Sequence, residues 1–120
     1  MDLEDTNYWK TLINMGLIRF LVLFCLNEEP LHGYAVLKKV QEFTRGCCSP
    51  TYGAIYPILG ELVEGGYATV REDRTGGRKR KVYTLTSCGH NAYLKGLTAW
   101  QDILPHLNSI VTQHHEQQSD

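Results

Sequence analysis

A single hairpin pattern lies among helical patterns in this 120-residue chain, and it is the feature that most limits the possible folds. Residues 67–71 and 81–85 read as β-strands, and Thr75-Gly76-Gly77 between them is typical of a turn. Apolar residues at helical spacing occur over residues 8–26, 31–44, 52–63 and 89–107. This order predicts a mainly α fold with a small antiparallel β wing: a winged helix-turn-helix domain with added N- and C-terminal dimerisation helices.

The length of the chain and its 42% hydrophobic residues predict one domain with an ordinary core. We expect the winged helix-turn-helix region, including the first helix, over residues 1–85. A C-terminal dimerisation helix is expected over residues 86–112, because its apolar residues exceed what one small domain needs to cover. Residues 113–120 are polar and predict a flexible tail.

Basic residues are concentrated in the hairpin, although the net charge of the chain is -1. Residues 71–81 hold six basic and two acidic side chains, so this window carries +4 and the rest of the chain -5. Such a separation produces an anion-binding surface on an acidic body. The alternative is a solvated turn, but the position of the cations after a groove-sized helix favours binding to DNA phosphates. The residues assigned to this role are Arg74, Arg78, Lys79, Arg80 and Lys81.

The third helical pattern has one apolar face and one face of small residues. Its apolar residues are Tyr52, Ile55, Tyr56, Leu59, Leu62 and Val63. The opposite face carries Thr51, Gly53, Ala54 and Pro57, and either Ser49 or Thr51 caps the start. A backbone bordered by small side chains can approach another surface closely, so these four residues are predicted DNA contacts.

His32, Tyr34 and Tyr56 are further residues that we predict to lie near a DNA phosphate. His32 and Tyr34 open the second helical pattern, where the positive end of the helix favours an anion. A capping or packing role explains His32 equally well. Tyr52 and Tyr56 lie on the apolar face, and we expect at least one of them to pack against the core with its hydroxyl at the edge, within reach of a phosphate.

The sequence predicts a cytoplasmic protein with no membrane partner. The longest apolar run, residues 17–26, is interrupted by Arg19 and is shorter than the roughly 20 residues of a membrane span. The N-terminus is acidic where an export signal is basic. The four cysteines form no CxxC pair, which fits a reducing compartment.

The cysteines also leave a second hypothesis open, that of a thiol or soft-metal sensor. Cys47 and Cys48 precede the third helix, where a local change would move it, and Cys88 lies near the start of the last helix. Cys25 lies in the apolar run and is expected to be buried. Because metal-ligand spacing is missing, small residues in a reduced protein are the simpler interpretation.

Sequence motifs of catalysis are missing. The chain has no G-x-S-x-G, no glycine-rich phosphate loop and no HExxH. Cys88 and His90 are neighbours with no evident third group to orient them. We therefore expect a protein that is not an enzyme and has no resident cofactor or metal, with His114 and His115 solvated.

Three motifs in order carry a family resemblance. His32-Gly33-Tyr34 opens the second helix, GAIYPIL occupies residues 53–59, and GGRKRKVYTLTSCG occupies residues 76–89. Together they resemble the PadR family of bacterial transcriptional regulators, in its smaller subgroup, over about residues 8–107. The chain departs from the family pattern at Ala54, where Thr is usual, and at Gly60 and Glu61, where Lys and Arg are frequent.

The resemblance implies a homodimeric repressor that binds double-stranded DNA at a palindromic operator and that a small molecule near the dimer interface releases. The predicted interface and effector residues are Trp9, Leu12, Tyr93, Leu97, Trp100 and Leu104. Core or dimer packing is the simpler role for both tryptophans, and the resemblance favours Trp100 as the one that stacks on an aromatic ligand. The alternative is a winged-helix protein-interaction module that uses the same faces without DNA.

Overall fold

In a computed structural model, which describes residues 1–47 and 50–118, helices surround a small antiparallel sheet at one end of a long C-terminal helix. The elements are α1 (Thr6–Glu28), β1 (Leu31–His32), α2 (Gly33–Thr44), α3 (Tyr52–Glu64), β2 (Ala68–Asp73), β3 (Arg80–Leu85) and α4 (Ser87–Gln118). The predicted fold class, mainly α with a β wing, is confirmed.

The helix α1 begins at an acidic cap and ends at a proline. The Asp5 side chain accepts a hydrogen bond of 2.9 Å from the backbone N–H of Asn7, which satisfies one of the open donors of the first turn. Beyond Glu28 the backbone becomes extended before Pro30, whose ring excludes the helical conformation of the residue that precedes it. The second half of α1 is the part that enters the core.

The second helix begins two residues later than the sequence predicts. Leu31 and His32 form the short strand β1, with Leu31 opposite Tyr83 and His32 opposite Val82 of β3. Their backbone therefore pairs with a strand that is distant in the sequence. The local spacing of apolar residues cannot predict such a tertiary contact. Helix α2 starts at the buried Gly33 and ends at Arg45, which has the left-handed φ of 52°.

The face that α3 buries differs in part from the sequence prediction. Ile55, Ile58, Leu59 and Leu62 are buried, whereas Tyr56 is 45% exposed. Ile58 completes the stripe because it lies three residues after Ile55 and four before Leu62. Thr51 is the N-cap without a side-chain cap hydrogen bond, and Ser49, the other predicted cap, lies outside the described residues.

One core joins the first three helices and the sheet. The completely buried side chains are Val22 and Cys25 of α1, Val36 and Val40 of α2, and Ile55 and Leu59 of α3. Tyr83 of β3 and Ala68 of β2 close the core from the sheet side. This core fixes the relative positions of α2, α3 and the wing.

The three strands are arranged in the order β1-β3-β2, all antiparallel. Strands β2 and β3 pair from Ala68 opposite Leu85 to Asp73 opposite Arg80. Gly76 and Gly77 at the turn have φ of 79° and 81°, a conformation that residues with a side chain rarely adopt. The wing is therefore a hairpin with basic residues on the strand that leaves its tip.

The helix α4 contains 32 residues and extends far beyond the core. The longest dimension of the chain is 61 Å and the radius of gyration is 17.0 Å, against about 13.6 Å expected for a compact domain of this length. Residues 113–118 are helical, where the sequence predicts a flexible tail. The division of the chain at residues 85 and 112 stays a prediction.

Helix α1 is long and apolar enough to cross a membrane, judged by length and composition only. The sequence prediction considered only the shorter apolar run of residues 17–26 and did not indicate this. The helix has 23 residues, and its most apolar window has a mean hydropathy of 1.6 with one third of its residues buried. A core helix passes the same test. The apolar side chains in its second half, such as Leu21, Val22 and Leu26, pack in the core, whereas Leu12, Ile13 and Met15 in its first half are exposed.

Candidate nucleic-acid interface

The wing places its cations on an exposed surface. Arg71 and Arg74 precede the turn, and Arg78, Lys79, Arg80 and Lys81 follow it, all of them exposed. Glu72 lies opposite Lys81 and Asp73 opposite Arg80 across the hairpin. Each acidic residue of the wing therefore pairs in register with a cation, and residues 78 and 79 at the tip add further positive charge.

Lys81 is held against the third helix. Its Nζ donates a 3.4 Å hydrogen bond to the Tyr56 hydroxyl and lies 5.9 Å from the centre of the Tyr56 ring. This hydrogen bond is the largest cause that raises the pKa of Lys81 above its usual value. This contact links the wing to α3 and places the Lys81 ammonium group beside the Tyr56 hydroxyl.

Tyrosine side chains from α2 and α3 form a stacked cluster beside this contact. The rings of Tyr34 and Tyr52 are 4.1 Å apart and nearly parallel, and those of Tyr52 and Tyr56 are 5.6 Å apart. Gly33 makes the stack possible, because a Cβ there would lie 2.9 Å from Cε1 of Tyr52. Partial burial raises the pKa of the Tyr52 hydroxyl, which stays protonated.

A cavity of about 600 Å³ lies between the tyrosine cluster and the wing. Its walls contain seven of the predicted DNA-contacting residues, namely His32, Tyr34, Tyr56, Arg78, Lys79, Arg80 and Lys81. It opens beside the start of α2, whose unpaired N–H groups give that end a positive potential. Cations, hydroxyl groups and a helix start around one space are the chemistry that binds a phosphate group.

His32 lines this cavity and is the N-cap residue of α2. Its side chain makes no cap hydrogen bond, and Nδ1 is buried without a hydrogen-bond partner among the described residues. The predicted capping role is therefore wrong. Packing beside the cavity and contact with a phosphate stay as the two predicted roles.

The other predicted contacts on α3 form a separate exposed surface. Thr51, Gly53, Ala54 and Pro57 are exposed, and the last three line a groove of about 460 Å³ between α3 and α1. At one side of this groove Arg19 of α1 donates three hydrogen bonds to the Glu61 carboxylate, of 2.8, 3.1 and 3.2 Å. Arg74 lies at the tip of the wing and outside both spaces.

Four further residues line the cavity with the predicted ones, namely Gly33, Ala35, Tyr52 and Tyr83. The sequence prediction named Tyr52 as one of two tyrosines that could reach a phosphate and left out the other three. Tyr83 shares a face of β3 with Lys81 two residues before it, so period-two alternation carried a signal for it. Gly33 and Tyr52 meet only in the folded chain, and no sequence pattern links them.

The predicted dimer and effector residues divide between two environments. Tyr93 and Trp100 are half-buried against Phe20 of α1, at ring distances of 5.6 and 6.1 Å, and Leu97 is half-buried between them in the sequence. Trp100 also lines a groove of about 550 Å³ between α1 and α4. Leu104 is 52% exposed on α4, and Trp9 and Leu12 are exposed on the N-terminal half of α1. Their role as an interface stays a prediction.

The thiols are placed as follows. Cys25 is buried, and burial raises the pKa of its thiol to about 11, so it is protonated at neutral pH. Cys47 and Cys88 are exposed, whereas Cys48 lies outside the described residues. Among the described residues no three His, Cys, Asp or Glu side chains are grouped to hold a metal ion.

Fold and site together define a winged helix-turn-helix domain of the nucleic-acid-binding class. The sequence profile of the Transcriptional regulator PadR-like family matches residues 22–95. The chain belongs to this family of transcriptional regulators, and, as the sequence predicts, it is not an enzyme.

Two curated relatives are similar to part of this chain. The transcriptional regulator YqjI of Escherichia coli is 36% identical over 69 residues, which are 58% of this chain and 33% of the relative. The negative transcriptional regulator PadR of Bacillus subtilis is 30% identical over 76 residues, which are 62% of this chain and 42% of that protein. The chain thus spans about a third to two fifths of the length of these relatives.

Solved structures support the same fold. A PadR-like transcriptional regulator of Bacillus cereus has a TM-score of 0.72 at 21% identity, covering 82% of this chain and 95% of that one. The structure of Bacillus subtilis PadR in complex with operator DNA has a TM-score of 0.62 at 28% identity, covering 68% of this chain and 46% of that one.

Proposed function

We propose that this chain is a cytoplasmic repressor that binds a palindromic DNA operator as a homodimer. The third helix enters the major groove, and the wing holds flanking phosphates. The observation that carries this proposal is the cavity that brings the wing cations, the Tyr56 hydroxyl and the start of α2 to one surface. The similarity to a PadR protein whose structure contains operator DNA supports it.

A homodimer is supported by the apolar stripe of α4. Its residues repeat at alternating intervals of four and three, as in helices that pair along their length: Tyr93, Leu97, Trp100, Leu104, Leu107 and Val111. The first three are half-buried, Tyr93 and Trp100 against Phe20 of α1, whereas Leu104, Leu107 and Val111 are 52, 45 and 56% exposed. A second copy of α4 would cover the uncovered part and would place two recognition helices on one DNA face.

Release by a small molecule is the finer part of the proposal. The groove between α1 and α4 contains Phe20, Leu23 and Trp100, which suit a planar aromatic ligand. A ligand bound there alters the separation of the two recognition helices if it favours one arrangement of the dimer over another.

The test is the salt dependence of DNA binding. Substitution of Lys79, Arg80 and Lys81 by Ala should weaken binding to all duplexes and should reduce the slope of log K against log salt by about 0.9 per lost phosphate contact. A variant with Lys10 and Lys95 changed to Ala is the control, because these exposed residues lie on α1 and α4 away from the cavity.

Equal slopes for the triple variant and the unaltered protein would contradict the phosphate-binding role of the wing. Binding that ignores salt and requires a protein partner would favour the protein-interaction module instead. Specific binding in which one protomer occupies an unpaired site would overturn the homodimer.

A further inference from the structure

The recognition segment of α3 is poor in side chains that can hydrogen-bond to bases. Residues 51–60 contain three polar side chains, those of Thr51, Tyr52 and Tyr56, and no Asn, Gln, Arg, Lys, His, Asp or Glu. The bidentate pairs that distinguish guanine and adenine in the major groove require Arg, Lys, Asn or Gln. This segment therefore lacks the side chains for that form of base recognition.

Two of these three polar side chains are engaged within the protein. Tyr52 lies in the stack between Tyr34 and Tyr56, and the Tyr56 hydroxyl accepts the hydrogen bond from Lys81. Both rings face the cavity beside the wing and not the outer face of α3. Among the polar side chains of residues 51–60, the hydroxyl of Thr51, the N-cap residue, is the one that remains available to hydrogen-bond to a base.

The nearest acidic side chain is also engaged. Glu61 follows Pro57 by four residues, and Arg19 holds its carboxylate through Nε and Nη2. A carboxylate accepts a hydrogen bond from the cytosine amino group, which is its usual role in base recognition. The ion pair directs the Glu61 carboxylate toward α1 instead.

Apolar surface forms the rest of the outer face. Gly53, Ala54, Pro57 and Gly60 are exposed. A Cβ at Gly60 would meet nothing within 4 Å, and one at Gly53 would meet only Thr51 Oγ1 at 3.6 Å. The packing of the fold therefore leaves room for a side chain at both glycines. Because glycine has no side chain, the Ala54 methyl and the Pro57 ring project further from this face of α3 than their glycine neighbours do.

Resting on the proposed DNA binding, we propose that the interface selects half-sites with thymine in the major groove, through contact of the thymine C5-methyl with Ala54 and Pro57. The thymine methyl is the major-groove feature that apolar side chains recognise. The wing cations and the cavity supply the affinity for phosphates, whereas the apolar face of α3 supplies the choice of base.

The test replaces thymine by uracil, which removes the methyl and keeps the pairing. The duplex is obtained by repeated selection with the purified full-length protein from a random-sequence pool. Uracil at a contacted thymine should raise the Kd about fourfold for each methyl that is buried. Uracil at thymines outside the protected half-site is the control and should change nothing.

A protein variant isolates the contact from general effects on stability. In Ala54→Gly the ratio of Kd for uracil-containing and thymine-containing duplexes should decrease toward one at the contacted position, because one of the two protein partners of the methyl is gone and only Pro57 is left. The ratio compares two duplexes on the same variant, so a loss of helix stability cancels. A C·G pair at that position should weaken binding, and 5-methylation of its cytosine should recover part of the loss.

The outcomes separate this inference from the proposed function. Specific, salt-dependent binding with no effect of uracil at any thymine overturns the thymine contact and leaves DNA binding intact. Selected half-sites without thymine in the protected major groove overturn it as well. Absence of salt-dependent binding to any duplex overturns the proposed function itself.

Discussion

At the scale of single residues, the contact between Lys81 and Tyr56 joins the wing to the recognition helix. Neither residue is part of the core, since both are exposed. Their hydrogen bond therefore adds little to the stability of an isolated chain, where exposed polar contacts are worth little. We interpret it as a contact that orients the Lys81 ammonium group toward the cavity.

Tyr56→Phe removes the acceptor and keeps the ring. We expect operator affinity to fall about two- to tenfold, the effect of one hydrogen bond of ordinary strength. The pKa of Lys81 should decrease, because this hydrogen bond is the main cause of its elevation. Titration by NMR and binding isotherms measure both effects. Tyr67→Phe, an exposed tyrosine that does not line the cavity, should leave both unchanged.

Burial of Cys25 makes the stability of the fold sensitive to alkaline pH. The folded state raises the pKa of this thiol from 9.0 to about 11, so it holds the proton more tightly than the unfolded chain does. The corresponding stabilisation is complete below pH 9 and is lost as the pH rises toward 11. Unfolding by urea should show a steeper loss of stability over this range for the native chain than for Cys25→Ala. Parallel profiles for the two proteins would contradict this prediction.

At the scale of elements, Thr86 ties the start of α4 to the end of α3. Its hydroxyl donates to the Gly66 carbonyl at 2.7 Å and accepts from the Gly89 N–H at 3.1 Å, and its own N–H donates to the Tyr67 carbonyl at 3.0 Å. A Cβ at Gly89 would clash with Leu85, so the helix lies close against the sheet. These contacts join α4 to the end of α3 and to the sheet, and we therefore expect a movement of α4 to displace the recognition helix and the wing together.

Thr86→Ala removes the hydroxyl and both of its hydrogen bonds. We expect the free energy of unfolding to fall by about 1–3 kcal/mol, as for the loss of a helix cap together with a partly buried hydrogen bond. Chemical denaturation measures this change. Thr98→Ala is the matched control, because the Thr98 hydroxyl bonds only to Leu94 within the same helix. An equal loss of stability in both variants would contradict the prediction that Thr86 stabilises the junction between α3 and α4.

At the scale of the whole molecule, α4 is longer than the part of it that the rest of the chain covers. The helix leaves its core and exposes Leu104, Leu107, Ile110 and Val111. Exposed apolar patches of this extent mark an interaction surface in soluble proteins. The proposed second copy of the chain supplies the missing contact.

Leu104→Asp combined with Leu107→Asp places two charges on the apolar stripe. We expect sedimentation to show a monomer and operator affinity to fall, because the two half-sites are then bound separately. Gln101→Asp combined with Asn108→Asp adds two acidic residues to α4 beside the stripe, and this control should remain dimeric. An unchanged mass for the leucine variant would show that α4 does not form the interface.

Local patterns in the sequence determined the order of the helices and the hairpin, the glycine turn and the concentration of charge in residues 71–81. These features depend on neighbours within a few residues, so periodicity and composition are sufficient to predict them. The three family motifs lie between residues 32 and 89, within residues 22–95 that the family profile matches.

Tertiary contacts decided the rest. Residues Leu31 and His32 became a strand because β3 offered a partner about fifty residues away in the sequence. Tyr56 lies outside the core beside Lys81, and Ile58, which the sequence prediction left out of the apolar face, is buried. Gly33 and Tyr52, adjacent in the cavity, are distant in sequence. These features depend on which surfaces meet after the chain has folded, and the local spacing of residues cannot predict them.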